Sequence, residues 1–255
     1  MKSIQFTGVP GSGKSSVYIK LRDIFKDDKK IICGIDQVLY EKILPVDKLY
    51  KSLDKISPYF LKKKLRASYF HSSHFPNEFI KYVESNPHLL IEAIHSIRWN
   101  GPIFENQQIT TWLKPHIIHA IAKKYLNNDE YFFVDEGPVQ RTTTFYAEYD
   151  ESDIQTKLEE YESYVQDVVL LVHFDVSNDE CIKRLNSRTT GLPKRLVKAN
   201  QSQIYQYLDS SRRIIKRMCN YCESKGARII SMDTTELSLD FVVRKIAEHI
   251  NDIAK

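Results

Sequence analysis

The 255-residue chain predicts an α/β fold, a parallel sheet held as the middle layer of a three-layer sandwich. Three features point there. Apolar, strand-like runs alternate with helically spaced stretches along the chain. The run Val168-Val169-Leu170-Leu171-Val172-His173-Phe174 is nearly continuous in apolar residues, as a central strand buried on both faces should be. Finally, the strand-like run Lys2–Thr7 passes through a glycine-rich turn into Ser16–Leu21, which has helical spacing.

Five strands follow from the pattern. The first lies near residues 3 to 7 and the second is Lys30–Ile35, ending at Asp36. The third is Tyr131–Val134, which runs into Asp135-Glu136-Gly137. Val168–Phe174 and Ala227–Met232 are the fourth and fifth, and an amphipathic helix over Ser238–Ile250 closes the fold. The strands end at Gly8, Asp36, Asp135, Asp175 and Asp233, the edge of an open α/β sheet where ligands bind. Asp175 and Asp233 read as turn or cap residues. Asp36 and Asp135 are the functional candidates.

About ninety residues, 37 to 130, separate the second strand from the third, too many for one crossover helix. Helical periodicity over Tyr59–Phe70, Glu78–Glu84 and Thr111–Leu126 marks this segment as a helical insertion and the natural home of a substrate pocket. The chain therefore reads as one domain, 1–255, carrying the insertion 37–130 and a loop-rich lid region, 184–200.

Composition narrows the function classes. A net charge of +4 suits a protein that handles anions, but gives no clear basic stripe for nucleic acid. The clustered Arg212-Arg213 and Lys216-Arg217 read as a solvated helix face near an anion site. No apolar run reaches the length of a membrane span, and Met1 leads directly into the first strand without a signal segment, so a cytoplasmic protein is expected. Cys33, Cys181, Cys219 and Cys222 are expected as reduced thiols, since Cys219 and Cys222 form a lone CxxC without a second ligand pair. His116 and His119 share a helix face but lack an identifiable third zinc ligand, and read as core or surface residues.

The chemistry begins at Gly8-Val9-Pro10-Gly11-Ser12-Gly13-Lys14-Ser15, a complete GxxxxGK[ST] phosphate-binding loop in its expected strand–loop–helix setting. Gly8, Pro10, Gly11, Ser12, Gly13, Lys14, Ser15 and Ser16 are the expected nucleotide contacts. Backbone N–H groups and the helix N-terminus would cradle phosphate oxygens, and Lys14 would add a full charge. The Ser15 hydroxyl would bind Mg²⁺. Phe132-Phe133-Val134-Asp135 has the form of a Walker B strand, so Asp135 is the second expected metal ligand. ATP and Mg²⁺ are the cofactors implied.

Several residues keep two readings. Glu136, directly after Asp135, could orient an attacking water, contact an acceptor, or pack into the Gly137-Pro138 loop. Asp36 could accept the proton of an acceptor hydroxyl or cap a helix. Arg184 and Arg188, four residues apart on one helix face, and Arg195 beyond the Gly191-Leu192-Pro193 turn, could stabilise a transferring phosphoryl group. Otherwise they are solvated bases. Arg98 and Arg141 are candidates to bind an anionic acceptor.

Taken together, Gly8–Ser15, Phe132–Asp135 and Val168–Arg195 resemble the P-loop nucleoside and nucleotide kinases, most nearly the thymidylate-kinase-like branch. The resemblance implies a P-loop NTPase sheet of order 2-3-1-4-5 and γ-phosphoryl transfer from Mg²⁺·ATP. It assigns Lys14 and Ser15 to phosphate and metal, and Arg184, Arg188 and Arg195 to the lid. It leaves residues 37–130 unmatched. Asp135-Glu136 also departs from the Asp-Arg of thymidylate kinases and the Glu-Arg-Ser of deoxynucleoside kinases. The acceptor does not carry over: a small, anionic or nucleoside-like molecule is expected, with homodimer formation open. The reading from a different class is a P-loop ATPase that hydrolyses ATP through Glu136 and acts on a protein partner.

Overall fold

The computed structural model describes residues 1–43, 75–96, 107–147, 151–188, 192–193 and 196–255. A five-stranded parallel sheet has the order β2-β3-β1-β4-β5 and is flanked by helices on both sides. Its strands are β1 (Lys2–Gly8), β2 (Ile31–Cys33), β3 (Tyr131–Val134), β4 (Val168–Asp175) and β5 (Arg228–Asp233). The order expected from the resemblance is the order found. β1 pairs in parallel with β4, from Ser3 opposite Val168 to Gly8 opposite Phe174, and β4 pairs with β5.

The chain divides into two compact units. One comprises Lys2–Asp27 and Phe133–Lys255, the other Asp28–Phe132 with Met1.

In the first unit, α1 (Lys14–Phe25) packs with α10 (Leu239–Ala254), and α6 (Pro138–Tyr146) packs with α9 (Gln201–Ser224). α7 (Glu151–Glu162) and α8 (Asn178–Asn186) complete it. Period-two alternation sorts the two faces of β1. Phe6 meets Tyr18 of α1, Phe133 and Phe174 edge-on, at centroid separations of 6.4, 5.1 and 4.9 Å. The opposite face is polar yet fully buried: Ser3, Gln5 and Thr7 expose nothing to solvent. Hydrogen bonds make that burial tolerable. Gln5 Nε2 donates to Ser3 Oγ at 3.1 Å, and Gln5 Oε1 accepts from the Val139 N–H at 3.3 Å. Thr7 Oγ1 donates to Gln140 Oε1 at 3.1 Å.

Helix starts follow local chemistry. Ser177 and Ser238 cap α8 and α10 by accepting from the N–H groups of Glu180 and Phe241, both at 3.3 Å. Asn200 and Gln203 form a reciprocal capping box on α9. Pro138 occupies the first turn of α6, where its missing N–H costs nothing. The paired basic residues of α9 depart from the expected solvated face. Arg212 is half-buried and reaches Asp175, Asp209, Asn178 and the Val176 carbonyl. Arg217 pairs with Glu159 at 3.4 Å and Glu162 at 3.3 Å on α7. Only Arg213 and Lys216 of the four are exposed. Cys219 and Cys222 sit on the buried side of α9, where burial pushes both thiols up to about 12. They are packing groups, not thiolates.

In the second unit, α2 (Gly34–Val38) runs into a single π-helical turn, Leu39–Ile43. Further on come α3 (Phe75–Ser85), α4 (Pro87–Ser96) and α5 (Gln107–Tyr125). Lys124 of α5 binds Glu78 of α3 at 2.7 Å. His116 stacks on Tyr82, and His119 meets Phe132 edge-on. The expected helix over Tyr59–Phe70 lies outside the described residues. One boundary differs from expectation. β2 stops at Cys33, not at Ile35, because Gly34 takes a left-handed φ of 76° and starts a helix. Asp36 therefore occupies the first turn of α2, exposed, and not a strand terminus.

Gly137 precedes α6 and lies so close to Gln5 that a Cβ there would collide with Gln5 Oε1. Its φ of −87° suits any residue, so the constraint is contact alone. Gly137→Ala is expected to destabilise the protein by about 1–3 kcal/mol, read by denaturant unfolding. Adding Gln5→Ala should recover part of that loss. Strictly additive effects would show that the two sites do not touch.

Candidate active site

β1 delivers the chain into the loop at Gly8, and α1 begins at Lys14, so residues 8 to 13 curl between a strand end and a helix N-terminus. The curl demands glycine. A Cβ on Gly8 would stand 2.6 Å from the Phe174 carbonyl, and one on Gly11 would stand 2.8 Å from the Cys181 carbonyl. Both residues also carry positive φ, at 155° and 89°. Gln140 fixes the entrance, because its Oε1 accepts from the Gly8 N–H at 2.9 Å as well as from Thr7. Its Nε2 donates to Thr143 Oγ1 at 3.1 Å.

Lys14 folds back into the loop. Its Nζ donates to the carbonyls of Gly8 at 2.6 Å and Val9 at 3.2 Å, and to Ser12 Oγ at 3.4 Å. Burial pulls its pKa down to about 8, against the opposing attraction of Glu136 and Asp135. Asp135, half-buried at the end of β3, moves the other way: burial pushes its carboxyl up, against a hydrogen bond from Ser15. Its Oδ1 is buried with no hydrogen-bond partner among the described residues. An orphaned carboxylate oxygen beside an exposed serine hydroxyl is an oxygen donor set that fits Mg²⁺.

Around the loop lies a cavity of about 400 Å³. Pro10, Gly11, Ser12, Gly13, Lys14, Ser15 and Ser16 form its floor, so seven of the eight expected nucleotide contacts line one space. Gly8 meets it through the Lys14 ammonium. Glu136 and Arg188 also line the wall. Arg188 is exposed and lies past the end of α8, which stops at Asn186, so it does not share a helix face with Arg184 as its spacing suggested. Arg184 is turned toward Glu180 and Thr234, with Nε to Glu180 Oε1 at 2.8 Å and Nη2 to the Thr234 carbonyl at 2.7 Å. Glu136 and Arg141 hold each other at 2.6 Å. Arg98 and Arg195 lie outside the described residues.

Sequence reasoning missed Gln140, Thr143, Thr144 and Tyr207, all on the cavity wall, and Thr234 behind the loop. Gln140 and the threonines follow Asp135 within ten residues, on the helix that its turn leads into, and that nearness was the one available signal. Nothing in the chain flags Tyr207 or Thr234.

The pH dependence of anion binding follows from Lys14. Burial holds its pKa below the ordinary 10.5, so the ammonium is lost as pH rises through about 8. A bound triphosphate stabilises the ammonium and must restore the proton. Calorimetric affinity for ATP is therefore expected to fall between pH 8 and 10, with proton uptake measurable in buffers of different ionisation enthalpy. Constant affinity across that range would contradict it.

No family model and no curated protein matches the chain. Its fold does match solved structures of deoxyadenosine kinase from M. mycoides. The structure with bound dATP is 12% identical at a TM-score of 0.51, over 98% of this chain and 99% of that one. The structure with the products dCMP and a flexible dCDP bound is 14% identical at a TM-score of 0.50, over the same shares. At such identities the likeness is one of backbone architecture. The chain has the fold of the P-loop nucleoside kinases.

Proposed function

We propose that the protein is an ATP- and Mg²⁺-dependent kinase that transfers the γ-phosphoryl group to a hydroxyl of a nucleoside. The single observation behind this is the cavity whose floor is the glycine-rich loop, with Lys14 and the orphaned Asp135 oxygen both left short of partners for their charge. The nucleoside comes from the fold likeness to deoxyadenosine kinase.

Phosphoryl transfer asks little covalent chemistry of a protein; positioning and electrostatics supply most of the acceleration. Backbone amides of the loop would receive the β- and γ-phosphate oxygens, and Lys14 would neutralise charge between them. Ser15 and Asp135 would hold Mg²⁺, which when bound offsets charge on the phosphates. Arg188 reaches the same cavity from the start of the lid and is suited to charge developing on the transferred group. Asp36 remains our candidate base for the acceptor hydroxyl, and Arg98 and Arg195 our candidates for acceptor and lid contacts.

Glu136 bears on the hydrolytic reading. Its carboxylate lines the cavity, but one oxygen is held by Arg141 at 2.6 Å. A carboxylate whose oxygen is taken up by a guanidinium has less freedom to align a water. That favours transfer over hydrolysis.

Purified protein supplied with Mg²⁺·ATP and a panel of nucleosides, nucleoside monophosphates and sugars should phosphorylate a nucleoside. Asp135→Asn should lower the rate by about 10²-fold or more, and Glu136→Gln should retain transfer. Fast ATP hydrolysis without any phosphorylated acceptor, abolished in Glu136→Gln while nucleotide still binds, would establish the ATPase instead.

A further inference from the structure

Arg184 is half-buried and turns all three guanidinium nitrogens toward protein acceptors. Nε donates to Glu180, Nη1 donates to Thr234 Oγ1 at 3.2 Å, and Nη2 donates to the Thr234 carbonyl at 2.7 Å. A guanidinium can only donate, so the Thr234 hydroxyl must be the acceptor in its contact with Nη1. Its own proton is then free for another oxygen, and it goes to the carbonyl of Ser12 at 3.0 Å. Thr234 is 6% exposed and Ser12 fully buried, so neither group has solvent to fall back on. Thr234 is itself anchored, since its N–H donates to the Asp175 carbonyl at 3.0 Å. The series runs from α8 through the end of β5 into the glycine-rich loop.

The peptide that receives it is the one joining Ser12 to Gly13. No cis peptide occurs among the described residues, so this unit is trans and planar, with its C=O and N–H pointing in opposite directions. With the carbonyl drawn to Thr234, the Gly13 N–H is turned away from Thr234, and Gly13 lines the cavity while Thr234 does not. The alternative is close at hand. Gly13 sits at a φ of 91°, and a glycine-flanked peptide can rotate at little steric cost. A rotated unit would present a carbonyl oxygen to an incoming phosphate where an amide is needed.

We propose that Arg184 and Thr234 are positioning residues for phosphate binding: they hold the Ser12 carbonyl away from the cavity and so aim the Gly13 amide at the phosphate. Arg184 then acts through the loop, in place of the direct contact with a transferred phosphoryl group that its sequence position suggested. The inference rests on the anion-binding role of the loop and not on any acceptor.

Inorganic tripolyphosphate, which has no base or sugar, reads the phosphate cradle alone. Thr234→Val keeps the side chain's shape and removes the hydroxyl. Its dissociation constant for tripolyphosphate, measured by calorimetry, is expected to rise about tenfold, while Thr234→Ser stays within about twofold of the parent. Arg184→Lys, which keeps the charge but loses the planar fork, should weaken binding in the same direction and carries the test should Thr234→Val fail to fold. A folded Thr234→Val protein that binds as tightly as the parent would overturn the proposal. So would a serine variant as weak as the valine, or a parent protein that does not bind tripolyphosphate. Intact tripolyphosphate binding without phosphorylation of any acceptor would count against the kinase reading only.

Discussion

An ammonium group held inside a turn of backbone is the constraint from which the site follows. Lys14 is 8% exposed, and its ammonium donates to two carbonyls and one hydroxyl. To bring those carbonyls within reach, the chain must reverse tightly between β1 and α1, which puts glycine at the crowded positions. A reversal made of glycines has little stiffness of its own, so neighbours must supply it. Gln140 grips the entrance through the Gly8 N–H, Thr234 grips the far side through the Ser12 carbonyl, and Cys181 and Leu185 crowd Gly11 from below. The loop is shaped as much by what surrounds it as by its own sequence.

That dependence explains the polar face of β1. A strand in the middle of a sheet would ordinarily bury apolar residues on both sides. Here Ser3, Gln5 and Thr7 face α6, and their hydrogen bonds fix the start of that helix against the strand that launches the loop. A purely apolar seam would bury as well but would not set the rotation of α6. Directional bonds do, and α6 carries Gln140, Thr143 and Thr144 to the cavity wall.

How much was legible in the sequence follows from the range of the interactions. The glycine-rich loop, the Asp135 strand and the apolar β4 run are local patterns, each written in consecutive residues, and each element is found with its ends shifted by a residue or so. The β2 boundary was misread because Ile35 looks like a strand residue, whereas one left-handed glycine before it sets the conformation. The contacts of Arg184 were out of reach for a different reason. Spacing gives a helix face, but its partner Thr234 lies 50 residues away, and Thr234 in turn lies 222 residues from Ser12. No periodicity in the chain reports contacts of that separation. The basic pairs of α9 show the same limit, since the carboxylates that take up Arg212 and Arg217 belong largely to other elements.

The electrostatics of the cavity join these threads. Burial pushes Lys14 toward its neutral form and Asp135 toward its neutral form, so it works against the charge on both. Both shifts have one cause, the withdrawal of a charge from water, and each is a cost of that burial. A triphosphate offers Lys14 the negative charge it lacks, and a divalent cation offers Asp135 the positive charge it lacks. One ligand bringing both relieves both costs at once, and the groups that meet it are already held in place by Gln140 and Thr234. For the kinase we propose, dipoles that need little rearrangement when charge arrives would stabilise a transferring group without a reorganisation penalty. The burial that disfavours charge on Lys14 and the readiness for phosphate are thus the same property of one buried turn.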